Sequence, residues 1–159
     1  MNNNNNISIE NAQIMFRNFR GEETRFNPAG KRNFCVRLDS DISEVLKEDG
    51  WNVKYLKPRE EGDEPTPYLQ VSVNFDVIPP NIFMITKHNK TKLNAETVGS
   101  LDWAEIVNVD LIIRPYHWEA QGKTGIKAYV KNMYVTIEED EFADKYSDIP
   151  DGSSMNYGD

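Results

Sequence analysis

Between residues 114 and 131, six side chains that suit a polyanion alternate along the chain: Arg114, Tyr116 and Trp118, then Lys127, Tyr129 and Lys131. The chemistry they offer is non-covalent. An aromatic ring presents a π-face on which a base can stack for ~1–3 kcal/mol, and a neighbouring cation neutralises a phosphate. Every base has such a face, so a surface of this kind binds single strands with little sequence preference. Bond-breaking chemistry finds much less support. The two histidines, His88 and His117, are 29 residues apart, and no HExxH or Cys/His zinc spacing occurs. "GKTG" (122–125) lacks the upstream glycine of a phosphate-binding loop and does not precede a helix pattern. Glu22-Glu23 and Glu60-Glu61 fall in loops, where paired acids are ordinarily just solvated.

For the six residues to act together, they must share one face of a ribbon. The run 109–118 alternates: Val109, Leu111 and Ile113 make an apolar face, while Ile112, Arg114, Tyr116 and Trp118 make a mixed one. Side chains on a strand alternate with a period of two. A two-residue turn at Gly122-Lys123, where Gly supplies positive φ, predicts Trp118 opposite Lys127, Tyr116 opposite Tyr129 and Arg114 opposite Lys131. Lys123 adds a cation at the turn. Ile126, Ala128 and Val130 then join the apolar side. His117, on the odd face, reads as half-buried. A one-residue slip would turn the aromatics into the core. The same residues also fit an ordinary exposed sheet face, since Tyr and Trp favour strands and long cationic stems cover sheets well.

The elements around this hairpin are mainly strands. "ISIENAQIMF" is extended, and a loop with Gly21, Asn27-Pro28 and Gly30 follows it. "KRNFCVRLD" is the next strand. "DSDISEVLKEDG" predicts one short helix, with Asp41 as N-cap, Ile42, Val45 and Leu46 on one face, and Gly50 as the stop. "WNVKYLKP" alternates Trp51, Val53 and Tyr55 against Asn52 and Lys54. "YLQVSVNF" turns Leu69, Val71, Val73 and Phe75 inward. A strand at 82–87, a basic loop whose Lys87, His88 and Lys90 suit contact with phosphate, and a turn or short helix capped by Asn94 complete the body. The pattern predicts a mostly β, antiparallel small barrel with one or two short helices.

Charge is divided unevenly. The net charge is −8, but residues 138–159 hold eight acids and one lysine, a balance of −7, which leaves −1 for the other 137 residues. Residues 14–37 carry six basic and two acidic groups, and residues 82–93 carry three lysines and no acid. A near-neutral body with basic stretches tolerates an anionic ligand; the acidic end is a separate object. Arg20, Arg25, Lys31 and Arg32 suit the far wall of a groove, with Phe19 and Phe26 among them as stacking groups or as buried anchors. Cys35 is the single cysteine and reads as a small buried residue, which makes a reducing compartment the default. "MNNNNN" lacks the features of a signal peptide, and no apolar run approaches membrane-spanning length.

The late hairpin "VDLIIRPYHWEAQ" and "GKTGIKAYVKNMYVTI", the opening strand "ISIENAQIMF" and the acidic "EEDEFADKYSDIPDG" together resemble the phage single-stranded-DNA-binding proteins of the OB-fold type. Residues 39–105 match only in general architecture. The resemblance implies an OB-like barrel over residues 7–137, a disordered lead at 1–6 and a flexible acidic tail at 138–159. It implies single-stranded DNA as partner, a role in phage replication or recombination, no catalysis or cofactor, and the host cytoplasm as location. Replication or recombination proteins would be further partners through the tail, and a homo-oligomer is compatible. Relatives of this kind often end in a docking aromatic, whereas here Tyr157 is followed by Gly158 and Asp159. Two rivals stay open: an interaction protein whose acidic surface imitates nucleic acid, and a metal-dependent nuclease using scattered carboxylates.

Overall fold

The computed structural model describes residues 6–138, with nine strands, one α-helix and one 3₁₀ helix among them. In chain order these are β1 (Ile7–Ile9), β2 (Ile14–Asn18), β3 (Arg32–Arg37), α1 (Ser40–Asp49), β4 (Val53–Leu56) and β5 (Thr66–Val73). β6 (Asn81–Ile85), β7 (Lys90–Leu93), the 3₁₀ helix (Val98–Asp102), β8 (Ile106–Ala120) and β9 (Lys123–Ile137) follow. Of the expected end segments, all but Asn6 and Glu138 lie outside the described residues.

The sheet runs β1-β8-β9-β5-β3-β2, so it begins and ends on two halves of one N-terminal segment. β1 pairs with β8, β2 pairs with β3, and the link between them bonds to both sides. The Ala12 N–H donates to the Val109 carbonyl at 2.7 Å, and the Arg37 N–H donates to the Gln13 carbonyl at 3.0 Å. The opening run is therefore two strands rather than one. The ring is completed by chain continuity, with no further ladder, which gives an open, OB-like barrel. Most pairings are antiparallel, as the sequence pattern suggested, and two are parallel, β5 with β9 and β6 with β9.

Alternation placed the core of three strands: Leu69, Val71, Val73, Val109, Leu111, Ile113, Ile126, Ala128 and Val130 are all buried in one cluster, with Phe75 partly buried against it. Phe34 and Val36 of β3 join the same cluster. Three expectations fail. α1 starts earlier, with Asp39 as N-cap, and buries Ser43 and Leu46 while Ile42 and Val45 stay exposed. Tyr55 is exposed rather than inward. The basic loop after β6 is in part a strand, β7, whose Leu93 is buried against Ile82. Gly50 ends α1 in the left-handed region at φ 106°, as its position predicted. Asn94 receives the Glu96 N–H at 2.8 Å and the Thr97 N–H at 3.1 Å, the capping turn expected there.

Candidate nucleic-acid interface

The β8–β9 hairpin turns at Gln121-Gly122, both with positive φ (53° and 77°), one residue earlier than the predicted turn. Two consecutive left-handed residues are the signature of a type I′ turn, whose twist matches that of the strands. Every partner consequently shifts by two residues. Trp118 faces Gly125, Tyr116 faces Lys127, and Arg114 faces Tyr129. An even shift leaves each side chain on its original face, so the aromatic and cationic set survives the change of register. Tyr116 and Tyr129 meet edge-to-face at 6.1 Å. The Arg114 guanidinium lies 4.8 Å from the Tyr129 ring centroid, and the Lys127 ammonium lies 5.2 Å from it. Two cations thus neighbour the Tyr129 ring. His117, expected half-buried, is exposed, because β8 has left the core by that point of the hairpin.

Trp118 owes its position to Gly125. A Cβ on Gly125 would sit 2.6 Å from the indole Cζ2, so the ring lies flat on a backbone with no side chain. A glycine inside a strand often marks such an approach, and "KTGIK" carried that signal unread.

The indole forms one wall of a cleft of about 840 Å³. Lys127 and Tyr129 line it from β9, Gln70 and Ser72 from β5, Lys31 from the loop before β3, and Arg32 from the start of β3. Residues almost a hundred positions apart therefore share one groove. Arg32 donates to the Ala95 carbonyl at 3.0 Å and lies 5.8 Å from the Phe75 ring. Its Nε and that of Arg114 are buried without a protein acceptor. Buried donors are normally satisfied, so neither guanidinium is saturated by the protein.

Other predicted residues lie elsewhere. Arg20 is tied to Glu22 and Asp102 and covers Trp103 at 4.5 Å. Arg25 covers its neighbour Phe26. Of the two loop phenylalanines, Phe19 is a buried anchor stacked on Phe34, and Phe26 is 87% exposed. Lys123 closes the hairpin tip opposite Ala120. Lys131 is exposed at an irregularity in β9 instead of facing Arg114. Lys87 sits exposed between β6 and β7, and Lys90 lies on β7. Cys35 is buried on β3, and burial raises its thiol pKa, with nearby Lys54 opposing. Among the described residues no group of three His, Cys, Asp or Glu side chains could hold a metal ion. Nor is any described helix long and apolar enough to cross a membrane.

The OB-like ring thus carries an aromatic and cationic groove between its longest hairpin and a basic segment. The chain belongs to the phage ssDNA-binding domain family, whose model matches residues 1–156. Its fold is shared by the single-stranded DNA-binding protein from bacteriophage Enc34, at 11% identity and TM-score 0.54, over 98% of this chain and 92% of that one. The structure of the Enc34 protein in complex with ssDNA is 13% identical, with TM-score 0.53 over 89% of this chain and 94% of that one. No curated protein sequence matches the chain.

Proposed function

We propose that this chain holds single-stranded DNA in the groove between the β8–β9 hairpin and the loop 27–33, without sequence preference and without chemistry. What carries the reading is the meeting of Trp118, Lys127 and Tyr129 with Lys31 and Arg32 around one cleft. Bases stack on the indole and the Tyr129 ring. Phosphates meet Lys31, Arg32, Lys127 and Arg114. The groove offers π-faces and cations in place of a fixed set of donors and acceptors for base edges, so it accepts any base. Family membership and the Enc34 fold give the same direction. Coating DNA during phage replication or recombination, in the host cytoplasm, is the role that suits such a groove.

The acidic segment 138–159 competes for the same cations when DNA is absent, as a weaker polyanion would. The test is fluorescence anisotropy of a labelled single strand of about 16 nucleotides, at low and high salt, beside a matched duplex. Salt-sensitive binding that prefers the single strand is the expected result. No binding at low salt, with or without residues 139–159, would overturn the proposal.

A further inference from the structure

β9 contains one residue too many for its partner. Val130 pairs with Ile113 and Asn132 pairs with Ile112, which leaves Lys131 unmatched. The consequence is a change of parity. Before the irregularity the even residues Ile126, Ala128 and Val130 are buried; after it the odd residues Met133 and Val135 are. On a regular strand Tyr129 and Tyr134, five residues apart, would point to opposite faces. The extra residue turns both outward, a known use of β-bulges.

Tyr134 then meets Phe83, its register partner on β6, with ring centroids 5.4 Å apart and planes at 8°. The Lys90 ammonium lies 4.6 Å from the Phe83 centroid and 5.7 Å from that of Tyr134. Lys92, opposite Phe83, is exposed beside them. Two parallel rings and two lysines repeat the composition of the groove on the same outer face of β9. The separation is five residues along the strand, or ~16 Å at about 3.3 Å per residue.

We infer that the β6–β7 hairpin is a second station for the same DNA strand: Lys90 and Lys92 take its phosphates, and Phe83 and Tyr134 give its bases an apolar ring surface. The inference rests on the groove proposed above and extends it along β9. A short strand fills the groove alone, and a longer one reaches the second station.

Binding should therefore depend on length in a way that separates the two. For strands of about 6 and about 16 nucleotides, within the 4–16 that one OB domain covers, affinity is measured for the wild type, Trp118→Ala and the double variant Lys90→Ala/Lys92→Ala. Both lysines are exposed, so the double variant keeps the fold, which circular dichroism checks. It should bind the short strand as the wild type does and the longer one roughly tenfold more weakly. Its salt slope on the longer strand should fall by ~1.4, or about 0.7 for each phosphate no longer neutralised. Phe83→Leu should give the same length-dependent loss with the slope unchanged. Trp118→Ala should weaken both lengths. If Trp118→Ala weakens both while the lysine variant matches the wild type at both, the second station is wrong and the groove stands. Equal loss at both lengths in the lysine variant would also overturn it. If the wild type binds neither strand, the groove itself fails and the second station falls with it.

Discussion

Single side chains make the sharpest claims about this surface. Trp118→Ala and Tyr129→Ala should each weaken binding roughly 5- to 150-fold, the equivalent of ~1–3 kcal/mol per stacked base, with the fold intact. Gly125→Ala tests how the indole is held. The new methyl group would need the space at 2.6 Å that Cζ2 occupies, so tryptophan emission should shift and binding should weaken. Arg32 and Arg20 make an informative contrast. Arg32→Ala should lower affinity and reduce the salt slope by ~0.7. Arg20→Ala should act on stability more than on binding, since Arg20 is already paired with Glu22 and Asp102. Asp102 is the keystone there, accepting the Phe19 N–H at 2.7 Å and the Arg20 N–H at 3.2 Å. Asp102→Ala should cost ~1–3 kcal/mol in denaturant melts, because it strands the part-buried Phe19 N–H.

At the scale of elements, the β8–β9 hairpin depends on its turn and on its irregularity. Gly122→Val puts a β-branched residue at φ 77° and should destabilise by about 1–3 kcal/mol. Lys131 separates side chain from backbone. Lys131→Ala keeps the extra residue and should leave thermal stability nearly unchanged. Deleting Lys131 would make Val130 and Asn132 consecutive, as their partners Ile113 and Ile112 already are, so Met133 and Val135 would stay inward and Tyr134 outward. That deletion should therefore keep cooperative unfolding, and an unchanged near-ultraviolet circular dichroism spectrum would record the retained packing. The sequence made the hairpin and its faces legible through the alternation of 109–118 and 126–130. It did not reveal the irregularity, since "AYVKNMYVTI" reads equally well with either parity until a partner strand is present.

The whole molecule adds terms that no element carries. Affinity for single strands should fall linearly with log salt, at about 0.7 per neutralised phosphate. Removing residues 139–159 should raise affinity most at low salt, where their charge competes best. Cys35 gives a pH signature of the fold. Burial raises its thiol pKa, so the contribution it makes to stability is complete below the unfolded thiol's pKa. That contribution is lost as pH rises through the folded value. Alkylation by iodoacetamide at neutral pH should accordingly be slow in the native protein and fast in denaturant.

What the sequence determined by itself was local: strand periodicity, the buried faces of β5, β8 and β9, the Gly50 stop, and a cationic, aromatic face on the last hairpin. These are properties of short windows, where alternation and turn chemistry act without a partner. Only the tertiary structure decided that Lys31 and Arg32 line a groove with Trp118 and Tyr129, whereas Arg20 and Arg25 do not. The same holds for Phe83, which meets Tyr134 across a parallel pairing between segments some fifty positions apart. Parallel neighbours are not joined by a tight turn, so no nearby residue announces them. Their register is set by burial on both strands at once, and that exists only when the ring is assembled.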